Sequence, residues 1–159
     1  MPGIDECLLD AMRLPGARGA SVVDWISGLA LGTIGDSPNG DHEATAAESA
    51  ELARMAAEHR AFAASTEVPT SPAPGSGPRP GGTSLGGPAA GGPASDGATD
   101  SLPPVEDVIV TNRDSYHVVR FVRTTFDSSV FLHLWLDRAE GNLALARIRL
   151  GEIAERLVL

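Results

Sequence analysis

The chain lacks lysine altogether, contains no glutamine, has 1 cysteine, and is only 4% aromatic over 159 residues. Without lysine there is no Schiff-base nucleophile and no P-loop lysine, so both chemistries are excluded. Cys7 has no partner within the chain, which excludes a disulfide-stapled scaffold and points to a reducing compartment. Positive charge is scarce as well. The 12 arginines face 21 acidic residues, and a net charge of −9 is the opposite of a nucleic-acid footprint. Long apolar runs are missing: Val130 to Leu136, interrupted by His133, falls far short of the roughly 20 residues a membrane-spanning helix needs. No basic region followed by an apolar core opens the sequence. A cytoplasmic protein without a signal peptide is therefore expected, reaching a membrane only through partners.

Glycine and proline, by contrast, are concentrated. Residues 65–104 hold nine of each in 40 positions, with Val68, Leu85 and Leu102 scattered among them. Such a segment buries too little apolar surface to offset its ordering entropy, and it is expected to be a disordered insertion. Residues 1–64 and 105–159 remain. Each is small for a domain, so the two blocks are expected to share one core, since a long insertion costs only a logarithmic loop-closure term. Their charges differ: ten acids and four arginines in the first, eight acids and seven arginines in the second. The acidic face belongs to the first block.

Ile4, Cys7, Leu8 and Ala11 recur at helical spacing until Pro15-Gly16, predicting a short first helix. Runs from Gly19 to Asp24 and Gly28 to Ile34 predict a hairpin, with Gly32 marking a close approach inside the second strand. Asp41 to about Ala64 predicts a second helix, alanine-rich, with Leu52, Met55 and Phe62 as its large apolar groups. Three strands follow, Val105 to Thr111, Ser115 to Arg123 and Ser129 to Leu136, joined by turns at 112–114 and 125–128. Asp137 with Glu140 predicts a capping box for a last helix whose apolar face is Leu143, Ala146, Leu150, Ile153 and Leu157. The fold class is α+β: a five-stranded antiparallel sheet sandwiched by helices in the profilin or longin manner, in the order α-β-β-α-(linker)-β-β-β-α.

Three stretches add a resemblance. Gly16 to Asp24 followed by Ser27-Gly28-Leu29-Ala30-Leu31, Ala44-Thr45-Ala46-Ala47-Glu48-Ser49-Ala50-Glu51-Leu52-Ala53, and Leu136-Asp137-Arg138-Ala139-Glu140-Gly141-Asn142-Leu143-Ala144-Leu145-Ala146-Arg147 are similar to the Roadblock, or dynein light chain, family in its actinobacterial form. The 40-residue insertion departs from that family's short connection. The resemblance implies a homodimer through paired second helices and a Ras-like small GTPase as partner, beside a sensor kinase complex. It implies no catalytic residues and no cofactor. The helix surface expected to carry these contacts is Ala44, Ala47, Glu51, Leu52, Arg54, Met55, Glu58, His59 and Phe62. A structural adaptor for a sensor-kinase complex, without effect on nucleotide turnover, is the alternative.

Other residues have plainer readings. If the last two strands pair about Phe126, His117 faces Trp135 and Val119 faces His133, placing both imidazoles on one sheet face. Two imidazoles without a carboxylate or thiol make a poor metal site. Cys7 on the core stripe reads as a small buried hydrophobe, and Asp24 and Asp127 as turn residues. The glycine pairs at 81–82, 86–87 and 91–92 lack the strand and helix that a phosphate loop requires. Even-numbered Val118, Val122, Val130, Leu132, Leu134 and Leu136 form the drier face, under the first and last helices. The odd-numbered face, with Phe121, Phe131 and Trp135, is either a second partner surface or is covered by the second helix within the monomer.

Overall fold

The computed structural model describes residues 3–63, 105–123 and 129–157. The predicted insertion at 65–104 and the turn at 125–128 lie outside the described residues. The elements run α1 (Ile4–Met12), β1 (Ala17–Asp24), β2 (Leu29–Gly35), α2 (His42–Glu58), a 3-10 turn (Arg60–Phe62), β3 (Asp107–Thr111), β4 (Ser115–Phe121), β5 (Val130–Asp137) and α3 (Leu143–Arg156). They form an α+β fold on a five-stranded antiparallel sheet in the order β2-β1-β5-β4-β3. Strands from both sides of the insertion share that sheet, because β1 pairs with β5.

Alternation sets the two faces. Val22, Val118, Val130, Leu132, Leu134 and Leu136 pack beneath α1 and α3, against Cys7, Leu8, Ala11, Ala146, Leu150 and Ile153. Val23, Val119, Phe121 and Phe131 lie on the other face, under Ala46, Ala50 and Ala53 of α2. These alanines recur every three to four residues, which lets the helix backbone approach the sheet closely. The β4–β5 register pairs His117 with Trp135 and Val119 with His133, as the alternation predicts.

Three local expectations are corrected. The second helix stops at Glu58 rather than near Ala64: His59 is its extended C-cap, and 58–63 are all exposed. Past Ala57 no residue of this segment packs on the sheet's core. A glutamate in the last turn, with no base beside it, also opposes the helix dipole. Asp137 does not cap α3; its Oδ2 accepts the Glu140 N–H at 2.9 Å to close a turn. The cap is Asn142, whose Oδ1 accepts the Leu145 N–H at 3.0 Å. At Gly32 the close approach comes from side chains of α1, an added Cβ standing 2.6 Å from Ile4 Cγ2 and 3.1 Å from Leu8 Cδ1.

Candidate interaction surface

The outward face of α2 is built by subtraction. Asp41 starts the helix, its Oδ1 accepting the Glu43 and Ala44 N–H groups at 3.0 and 3.2 Å. Burying Ala46, Ala50, Ala53 and Ala56 then turns the opposite side to solvent. Ala47, Glu51, Met55 and Glu58 are exposed there, while Ala44, Leu52 and Arg54 are half-buried at its borders. Arg54 Nη2 donates to the Trp25 carbonyl at 3.0 Å, so it ties α2 to the β1–β2 loop. His59 and Phe62 lie beyond the helix, on the cap and the 3-10 turn. Both are exposed. The nine predicted residues therefore divide into an α2 stripe, its half-buried borders and a two-residue extension.

The second predicted surface is not available. Phe131, Phe121 and Trp135 are 0%, 3% and 8% exposed, so the aromatic sheet face is interior to the chain. Phe121 and Phe131 meet edge to face at 6.5 Å beneath α2. Arg18 places its guanidinium 3.8 Å from the Trp135 ring centroid, a cation–π contact that closes that side. The mixed aromatic, His and Arg composition that resembles an interface here belongs to a covered layer.

Within this layer His117 Nδ1 lies 3.0 Å from His133 Nε2, the rings stacked 3° from parallel. One imidazole donates and the other accepts, which requires both to be neutral or the pair to share one proton. Burial is the main force holding the His133 pKa down at about 3, with the neighbouring His117 adding to it. Burial also lowers His117, against an opposing pull from Asp114. The void that His133 shares with Asp36, His42 and Thr45 is about 10 Å³, room for at most one water. Among the described residues no group of three or more His, Cys, Asp or Glu side chains is placed to hold a metal ion. Cys7 is 2% exposed, and burial raises its pKa, as befits a packed side chain rather than a nucleophile.

Sequence reasoning overlooked one exposed group: Ile26, Leu29 and Leu31 are 66%, 65% and 47% exposed along the β1–β2 loop and edge strand β2. A usable signal is present, because residues 25–35 contain no charge in a chain that is 21% charged. Edge position, however, depends on a strand order that pattern alone does not supply.

No family model and no curated sequence matches the chain. Solved structures do. MglB of Myxococcus xanthus aligns at 14% identity and TM-score 0.54, covering 96% of this chain and 79% of that one. A Roadblock/LC7 domain from Streptomyces avermitilis aligns at 14% and 0.57, covering 97% and 93%. The gliding protein MglB from Thermus thermophilus gives 14% and 0.58, covering 96% and 83%. With its sheet order, its helix on one face and its helix pair on the other, the chain has the Roadblock/LC7 fold.

Proposed function

We propose that the chain is a non-enzymatic regulatory partner of a Ras-like small GTPase, acting as a homodimer whose contact surface is the outward side of α2. The observation that carries this reading is the unburied stripe of Ala47, Glu51, Met55 and Glu58, with Met55 50% exposed between the two glutamates near the end of α2. The likeness to MglB and Roadblock structures supports the fold on which such a surface would be presented. The Roadblock resemblance in the sequence supplies the partner class. An apolar centre with an acidic rim is the composition of a docking surface, the centre contributing affinity and the rim steering association.

The test is titration of the full chain against a Ras-like GTPase from the same genome, loaded in turn with GDP and a GTP analogue. Both Glu51 and Glu58 are exposed, so Glu51→Arg with Glu58→Arg leaves the fold intact. Association should slow by about tenfold or more, with a shallower dependence on salt. Absence of binding in both nucleotide states overturns the GTPase reading and leaves the sensor-kinase adaptor. Binding indifferent to the double reversal removes α2 as the contact.

A further inference from the structure

The two edges of the sheet differ in how they are protected. At the β3 edge, Arg147 of α3 grips Asp107 through two contacts, 2.7 Å from Nε and 3.2 Å from Nη2. Arg120 adds a looser contact to the same carboxylate at 3.8 Å. Inward-pointing charge of this kind is a device by which proteins blunt an edge strand. Among the described residues the β2 edge has no such ion pair; only its two ends are held, the Leu29 N–H donating to Ser27 Oγ at 3.3 Å and the Gly35 carbonyl lying 3.1 Å from His42 Nε2. The seven residues of β2, Leu29 to Gly35, and the loop before it from Trp25 contain no charged residue and no proline. Leu29 and Leu31 are largely open to solvent. A free edge strand presents unpaired N–H and C=O groups, which only water or another strand can satisfy.

The surroundings specify the occupant. One face of β2 is covered by α1, whose Ile4 and Leu8 lie against Gly32, and α2 approaches the preceding loop, where a Cβ added at Gly28 would lie 3.8 Å from Ala47 Cα. The alternate residues Leu29, Leu31, Thr33 and Gly35 are exposed, so the edge and the face they form are open together. Those two flanking helices are acidic. The α1 segment carries exposed Asp5 and Glu6, its Asp10 being paired with Arg13 and Arg156 at 3.3 and 3.8 Å, and α2 adds exposed Glu43 and Glu48 in its first half, while its Arg54 is tied to Trp25. Asp24 and Asp36 bracket the uncharged run. The α3 helix beside the opposite edge instead holds three arginines and two glutamates. A second copy joined edge to edge at β2 would bring the same acidic starts of α1 and α2 against one another.

We propose that the free edge of β2 is a strand-addition site for an extended apolar segment of a partner that carries arginine or lysine at its ends. Main-chain pairing supplies the affinity of such sites and alternate side chains supply the selectivity. Here Leu29 and Leu31 would meet the apolar side chains, and the α1 and α2 carboxylates would receive the basic ends. The edge adjoins the outward α2 stripe at Ala47, beside Gly28, but Leu29 and Leu31 are not part of that stripe. This proposal does not rest on the GTPase reading.

The experiment uses the full chain and a fluorescein-labelled peptide, Arg-Val-Thr-Val-Thr-Val-Arg, its length matched to the seven residues of β2. Anisotropy should show saturable binding that weakens as salt is raised, and hydrogen exchange should show new protection on the β2 amides. Placing lysine on the edge, as natural proteins do to guard one, by Leu29→Lys with Leu31→Lys should weaken binding about tenfold. Thermal melts check that this double variant of two exposed positions remains folded, and the wild-type exchange map tests the site independently of it. Equal affinity for Glu-Val-Thr-Val-Thr-Val-Glu would overturn the charge assignment. So would protection on β3 in place of β2, or no saturable binding at all, for the site itself. Sedimentation in which wild-type self-association disappears with the two lysines would make a second copy the occupant and overturn the proposal as well.

Discussion

His133 places a titratable ring at 4% exposure between β-strands, with another imidazole as its hydrogen-bond partner at 3.0 Å. The folded chain protonates this ring only near pH 3, against the usual 6.5. The unfolded chain therefore binds the proton first as pH falls. The stability that depends on a neutral His133 is complete above about pH 6.5 and declines between there and about pH 3, with a slope approaching about 1.4 kcal/mol per pH unit. Lowered likewise by burial, His117 adds to the decline in the same direction. Urea unfolding of the wild type at pH 7.5 and at pH 5.0 should show that loss, and His133→Phe should flatten most of it. An unchanged pH dependence in His133→Phe would place the acid sensitivity elsewhere. The sheet position of this pair is legible in the sequence because a period-two pattern and a short turn fix which residues oppose one another. Their hydrogen bond is not, since it depends on rotamers and on α2 excluding water above them. Cover by α2 over Phe121 and Phe131, and by the Arg18 guanidinium over Trp135, explains why these three read as surface from composition and are interior in the fold.

Elements are legible where a pattern of one period runs long enough, and their ends are not. The alanines of α2 illustrate both: the stripe at 46, 50 and 53 marks a helix, but whether small residues face a sheet or a symmetry mate is a tertiary fact. In this fold they face the chain's own sheet, so that stripe is used within the monomer and any dimer contact falls to Ala47, Met55 and their neighbours. The ends of α2 and the start of α3 depend on where burial stops and on which of two cap-forming residues lies in line with the axis. Asp137 and Asn142 both have the right chemistry. Packing of α1 gives the sharpest element-scale prediction. Gly32 leaves room for Ile4 and Leu8, so Gly32→Ala forces those side chains to shift and should destabilise the fold by about 1–3 kcal/mol. In an Ile4→Ala background the same substitution should cost about 1 kcal/mol less, because the methyl it meets at 2.6 Å is gone. Denaturant midpoints of the four chains test this. Strict additivity would show that Gly32 serves strand geometry and not the docking of α1.

For the whole molecule, the antiparallel sheet was predictable from the order of patterned segments, whereas its strand order was not, because β1–β5 pairing joins residues more than a hundred positions apart. That pairing also decides what the insertion contributes. All five strands lie within 17–35 and 107–137, so the sheet is complete without any residue of 65–104. We accordingly predict that removing 71–98 leaves the fold standing. Thirteen residues, 64–70 and 99–104, would still link the described blocks. At about 3.3 Å each they reach about 43 Å, against about 19 Å across a five-stranded sheet at about 4.8 Å per strand spacing. The shortened link therefore imposes no tension. If the deleted segment is the unstructured insertion its composition predicts, shortening the loop from 41 to 13 residues lowers the closure cost by about 1 kcal/mol. The melting temperature should stay level or rise by a few degrees, with an equally sharp transition in calorimetry. A fall of more than about 5 °C, or a broadened transition, would mean that 71–98 packs on the domain and contributes to its core.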